Sequence, residues 1–323
     1  MKTRKRKRTD KRPWRLPKLL LALLGLAALG VAATVLSSRR IVPLEDWDDL
    51  LDDEPDPRLR APFPSTPLWV DGPAGALFVD DGGSGGLPVL FVHGLGGASG
   101  HWRAVLDAVR PGRRALALDL RGHGRSQPPS AADYSIAAYA ADVAAVADEL
   151  GLESFVLASH SLGATVAIEV AARYPERVAG LFLVDPSGDQ TRIPRRDLDA
   201  SLAAIAADPH GELSSQYRQL LVGAEPAVAD RVLADLDSTP PEALVESLQS
   251  AFAFAAADAL GRYPGPRLAL VSDFNSLPSS LHRLIPDLPV RLVSGASHWL
   301  MLDRPDAVAE ALAELLARVE RAA

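Results

Sequence analysis

Ser159, Ser161 and Gly163 stand two residues apart in F-V-L-A-S-H-S-L-G-A-T, residues 155–165. An apolar run stops at this knot of small polar residues and an Ala-rich pattern of helical period follows, so the stretch reads as strand, tight turn and helix. A serine at the apex of such a turn forms a nucleophile elbow, here with Ser159 where a glycine is usual. Small residues are needed two before and two after the apex because strand and helix pass close together, and Ser159 is small enough. The turn lifts the Ser161 hydroxyl above the sheet edge. It also aims the first amides of the helix at the same space, where an oxyanion would develop. That arrangement suits acyl transfer through the serine oxygen. Taken alone, S-x-S-x-G also suits an ordinary strand-to-helix turn, so the rest of the chain must supply the partners.

The flanking elements alternate. Residues 88–93 (P-V-L-F-V-H) have the continuous apolar character of a strand buried on both faces, and G-L-G-G at 94–97 breaks it. Residues 98–110 read as a helix, 114–119 as a second buried strand, 135–150 as an Ala-rich helix, 155–158 as a strand, 162–174 as a helix and 178–184 as a strand. This order predicts an α/β fold, a mostly parallel sheet with helices on both faces. Upstream, residues 68–80 look like a hairpin ended by the glycine run D-D-G-G-S-G-G. Between about residues 187 and 264 the pattern is helical with no strand, which predicts an inserted helical lid. Strands at 266–271 and 290–294 and a helix at 305–319 then resume the alternation, placing one domain at residues 68–323.

Composition bounds the remainder. With 48% hydrophobic residues in 323 there is ample material for a core, and with no cysteine there is no disulfide framework, thiolate metal site or cysteine nucleophile. Residues 1–40 carry twelve Lys/Arg against one Asp, leaving 22 basic against 40 acidic side chains in the body, a poor partner for nucleic acid. The basic residues cluster at 1–18. Residues 19–36 are eighteen positions without a charge, rich in Leu, Ala, Gly and Val. That length just spans a bilayer core. A basic block on its N-terminal side predicts an uncleaved signal anchor with residues 1–18 cytoplasmic and the body outside. Secretion after signal cleavage is the alternative. Residues 37–67, rich in Pro and Asp, read as an extended spacer. Lipid is thus an expected partner through residues 19–36. The scattered histidines lack metal-ligand spacing, so neither a metal nor another cofactor is expected.

Four separated pieces now align: H-G-L-G-G at 93–97 after the first long buried strand, D-L-R-G-H-G-R-S at 119–126 after the second, the Ser161 elbow after the third, and G-A-S-H-W at 295–299 after the last. As a set they resemble the α/β-hydrolase superfamily over nearly all of residues 68–320. The resemblance implies an eight-stranded, mostly parallel sheet, a helical lid after the sixth strand, and a triad in the order nucleophile, acid, histidine. It puts Ser161 at the nucleophile and His298 at the base. The oxyanion hole falls to the backbone N–H groups of Leu95 and Leu162. His93 and His123 resemble structural residues of their loops, His160 is expected to point away from the site, and His101, His210 and His282 carry no motif.

The acid departs from the pattern. The family usually places it a few residues past the strand read at 267–271, where this chain has S-D-F-N-S-L-P at 272–278. Asp273 is the nearest carboxylate and the first candidate, although the count falls nearer Asn275. Asp185, in L-F-L-V-D-P at the end of the preceding strand, is the second, since some members place their acid there. The implied activity is a serine hydrolase acting by acyl transfer on small carboxylic esters. Serine at the elbow excludes the aspartate-dependent epoxide hydrolase and haloalkane dehalogenase chemistries. It leaves amidase, thioesterase, C–C hydrolase and perhydrolase activities open, as it does a non-catalytic binding module of the cell envelope built on the same scaffold.

Overall fold

A computed structural model describes residues 65–322. The expected span at 19–36, the basic segment and nearly all of the expected spacer lie outside the described residues. No helix among the described residues is long and apolar enough to cross a membrane. The chain enters through the hairpin of β1 (Ser65–Gly72) and β2 (Gly75–Gly82). Thus the last three residues assigned to the spacer are already strand, with Ser65 paired to Gly82. The hairpin turns at residues 72–75, and the glycine run after it only carries the chain on to β3 (Val89–Val92).

Strand and helix then alternate as the sequence predicts. A short 3-10 turn and α1 (Arg103–Val109) lead to β4 (Ala115–Leu118), followed by α2 (Ile136–Glu149), β5 (Phe155–His160), α3 (Leu162–Arg173) and β6 (Val178–Val184). The insertion consists of α4 (Arg195–Ala207), α5 (Pro209–Leu220), α6 (Pro226–Asp237), α7 (Pro241–Ala253) and α8 (Ala256–Gly261). Pro occupies the first turn of α5, α6 and α7, where its missing N–H costs no helical bond. The fold closes with β7 (Arg267–Ser272), α9 (Leu281–Leu284), β8 (Val290–Val293), α10 (Leu300–Asp303) and α11 (Pro305–Ala322).

The eight strands form one sheet in the order β1-β2-β4-β3-β5-β6-β7-β8. The β1/β2 and β2/β4 pairs are antiparallel and every pair from β4 to β8 is parallel. All residues of β3, β4 and β5 are buried, as their unbroken apolar runs require for strands covered on both faces. Helices α1, α10 and α11 pack together as one layer, and α2, α3 and α8 as the other. From β3 the chain moves first to one side, to β4, and then to the other, to β5. Loops leaving the carboxyl ends of β3 and β5 therefore diverge and open a crevice at this reversal of strand order. The H-G-L-G-G loop and Ser161 both border it.

Candidate active site

Ser161 joins β5 to α3 with φ 51° and ψ −117°, a conformation an L-residue adopts only under constraint. The constraint is visible on both sides. Its N–H donates to Val184 O at 3.2 Å, and its carbonyl accepts from Ala164 N–H at 3.0 Å. Gly163 must be glycine, because a Cβ there would lie 2.3 Å from the carbonyl oxygen of His93. Ser159 fits two residues before the apex, fully buried with its hydroxyl donating to Phe182 O at 3.3 Å. The Ser161 hydroxyl takes no hydrogen bond within the described residues. It borders a cavity of ≈ 480 Å³, counting the open mouth, whose apolar wall is built by Leu162, Leu213, Leu248 and Phe252.

The H-G-L-G-G loop runs against the elbow so closely that a Cβ on Gly94 would lie 3.1 Å from that of Ser161. Its peptide planes are pinned. Gly94 O accepts from His93 Nδ1 at 2.7 Å and from Gly97 N–H at 3.1 Å. Because a peptide is planar and trans, holding that carbonyl fixes the opposite direction for the Leu95 N–H, which no backbone carbonyl of the described residues occupies. On the far side of Leu95, its own carbonyl accepts from the Tyr217 hydroxyl of α5 at 2.7 Å. The Leu162 N–H is the first of α3 and so lacks an intrahelical acceptor. Two amides are thereby left beside Ser161.

His93 can do this only as one neutral tautomer. Its Nε2 accepts from Leu120 N–H at 3.0 Å, which puts the proton on Nδ1. Burial depresses its pKa to about 3, so it is uncharged at neutral pH. His123, 5.3 Å away between ring centroids, is likewise held down to about 3, by burial first and the neighbouring His93 second.

His298 Nδ1 lies 2.6 Å from Asp185 Oδ2, both side chains buried. Asp185 follows β6 directly and turns through φ 41°. Since β6 and β7 are neighbours, this brings its carboxylate over the end of β7, where it accepts from Ser272 N–H at 2.9 Å and Ser272 Oγ at 2.7 Å. Asp273, the first candidate for the acid, does not reach His298. It follows β7 directly, and its exposed side chain turns outward to the end of the adjacent β8, accepting from Ser294 Oγ and Gly295 N–H at 3.0 Å each. Asn275 donates to Pro186 O at 2.9 Å, bracing the loop after Asp185.

The expectation for His160 also needs correcting. It does not line the cavity, but it stays beside the site because the His298 loop crosses on that side. The two rings stand 4.6 Å apart between centroids, and His160 Nε2 donates to His298 O at 3.0 Å. Burial, reinforced by His298, holds the His160 pKa well below the ordinary value, so it remains a neutral donor. The His298 N–H in turn donates to Leu220 O at the end of α5, 3.1 Å away. Helix α5 therefore grips both loops of the site, through Tyr217 and Leu220. Nothing in the sequence marked these two residues, since neither belongs to a motif. His101, also without a motif, pairs with Asp235 of α6 at 2.8 Å.

A family model described as alpha/beta hydrolase fold matches residues 88–256. The sn-1-specific diacylglycerol lipase ABHD11 of Mus musculus is 29% identical over 95% of this chain and 98% of its own length. A dihydrolipoyllysine-residue acetyltransferase component of the acetoin cleaving system from Pseudomonas putida is 31% identical over 70% of this chain, which spans 62% of that relative. Among solved structures, a thermophilic esterase from Thermogutta terrifontis superposes with a TM-score of 0.67 at 27% identity, covering 79% of this chain and 99% of the esterase.

Proposed function

The chain belongs to the α/β hydrolase family and is a hydrolytic enzyme, and on that premise we propose that it cleaves carboxylic esters through an acyl-enzyme on Ser161. The observation that carries the reading is the 2.6 Å contact of Asp185 with His298 Nδ1, made beside a strained serine on an apolar cavity. With Nδ1 engaged, Nε2 is the nitrogen left to take the hydroxyl proton of Ser161 as its oxygen attacks the ester carbonyl. Asp185 holds the imidazole in that tautomer and offsets the charge that forms on it. The tetrahedral oxyanion takes hydrogen bonds from the N–H groups of Leu95 and Leu162, worth a few kcal/mol each to the transition state. His298 returns the proton to the departing alkoxide, and water, activated by the same imidazole, releases the acid.

The apolar wall of Leu162, Leu213, Leu248 and Phe252 suits an acyl chain, and α4–α7 act as its lid. The lipase and esterase names of the relatives favour ester and lipid substrates. The uncharged run at residues 19–36 behind a cationic block supports a signal anchor, with residues 1–18 cytoplasmic and the hydrolase domain on the outer side. Acidic side chains in the spacer, repelled by an anionic lipid surface, would hold the domain off the bilayer. The test of the ester reading is a series of p-nitrophenyl esters of rising chain length offered to the full chain and to Ser161→Ala. Turnover by the wild type, reduced at least about 10³-fold in the variant, is expected. Equal turnover by both would refute it.

A further inference from the structure

Gln190 follows the loop that carries Asp185 and opens a one-turn 3-10 helix, Gln190–Arg192. Its side chain is 4% exposed. It borders the cavity of Ser161 and also a second one, of ≈ 310 Å³, lined by Asp185, Leu220, Phe274, Asn275 and Ser280. Its Oε1 is closed from solvent and has no hydrogen-bond partner among the described residues. Oxygen and nitrogen of a glutamine amide are told apart only by their partners. In either orientation, one polar atom is enclosed there without a protein partner.

The mount beneath it is fixed. Asp189 N–H donates to Ser279 O at 2.8 Å, and the Asp189 carboxylate accepts from Thr191 N–H at 3.0 Å and from Ala257 N–H of α8 at 3.1 Å. Gly188 passes so near the 279–280 turn that a Cβ would lie 2.4 Å from Ser279 O. An amide rigidly placed between two cavities beside a nucleophile, with bonding capacity unused by the fold, is suited to a ligand that completes it.

We infer that Gln190 determines specificity by hydrogen-bonding a hydroxyl on the alcohol half of the substrate, so that esters of polyhydric alcohols are favoured over those of plain alcohols. This rests on the ester reading above. A hydroxyl both donates and accepts, and so completes the amide whichever way it is turned. The alcohol half is indicated by elimination. The apolar wall of the Ser161 cavity suits the acyl chain, whereas Gln190, with Ser187 and Gln216, is among the polar residues that complete the lining of that same cavity and is left for the alcohol.

The test compares 2,3-dihydroxypropyl butyrate with propyl butyrate, which share acyl chain and carbon skeleton, on the full chain and on Gln190→Leu. Wild type should favour the dihydroxy ester by about 10- to 100-fold in kcat/KM, and the ratio should fall to within about threefold in the variant. The melting temperature of Gln190→Leu should not drop, because an apolar side chain of similar size removes an unpaired buried amide; if that variant fails to fold, Gln190→Met serves instead. A wild-type ratio near one, or an undiminished ratio in a folded variant, overturns the inference. So does a preference for 4-nitrophenyl 3-hydroxybutyrate over 4-nitrophenyl butyrate that appears without one between the two alcohols. Failure of the ester reading looks different: neither butyrate is turned over in a way that Ser161→Ala abolishes, and both readings then fall.

Discussion

Asp185 Oδ2 lies 2.6 Å from His298 Nδ1 although the two stand 113 positions apart in the chain. Two hydrogen bonds from Ser272 aim the carboxylate, so the end of β7, where a carboxylate was expected, instead supplies the donors that hold one arriving from β6.

Asp185→Asn should therefore lower kcat by about 10³- to 10⁴-fold with the fold retained, since an amide cannot stabilise the imidazolium or select its tautomer. Asp273→Asn should cost less than about 10-fold. It loosens the turn at Ser294 and Gly295 without touching the imidazole. Steady-state kinetics of the two variants on one ester check this, and the reverse ranking would contradict it.

Tyr217 donates to the carbonyl of Leu95 from α5. Its replacement by Phe frees one side of the loop whose Leu95 N–H is proposed to meet the oxyanion. Because that charge exists only in the transition state, kcat should fall about 3- to 10-fold while KM stays within about twofold. A rise in KM at unchanged kcat would assign Tyr217 to substrate binding instead.

The alternation of buried strands with helices and the elbow were legible because they rest on local signals, whereas the order of the strands in the sheet was not read. Continuous apolar runs mark buried strands, and Ser159, Ser161 and Gly163 satisfy a steric rule within five residues. Which of the two candidate carboxylates meets His298 was not legible, because Asp185 and Asp273 both directly follow a strand and only the direction each side chain takes decides between them. Left-handed backbone at Asp185, and the bonds Ser294 and Gly295 offer Asp273, belong to three-dimensional neighbours that spacing cannot reveal. The same holds for the surroundings of His160 and Gln190, which are built by the loops that fold over them. Residues 65–67 misled for a smaller reason: S-T-P reads as linker, yet it pairs with β2.

Acid should weaken the fold. In the unfolded chain each histidine takes a proton below about pH 6.5, whereas folded His93 and His123 do so only near 3 and His160 well below 6.5. Between those limits the unfolded state binds more protons, so stability falls as pH falls, by on the order of 2 kcal/mol for each of His93 and His123 at pH 5. The melting temperature should accordingly drop steadily from pH 7 to 5. A flat profile would contradict the neutral, buried state of these rings.

The uncharged run predicts that the full chain fractionates with membranes and resists extraction by high salt, while a chain lacking residues 1–36 does not. Protease added to spheroplasts should digest the hydrolase domain. Digestion of residues 1–18 with the domain protected would invert the orientation.

The central claim, that Ser161 is the nucleophile, is tested most directly by labelling the full chain with a fluorophosphonate and locating the adduct by mass spectrometry. One phosphonyl group should appear on the peptide containing Ser161, with ester turnover lost in proportion, and Ser161→Ala and His298→Ala should not label at a measurable rate. An adduct on another residue, or undiminished labelling of Ser161→Ala, would contradict the account.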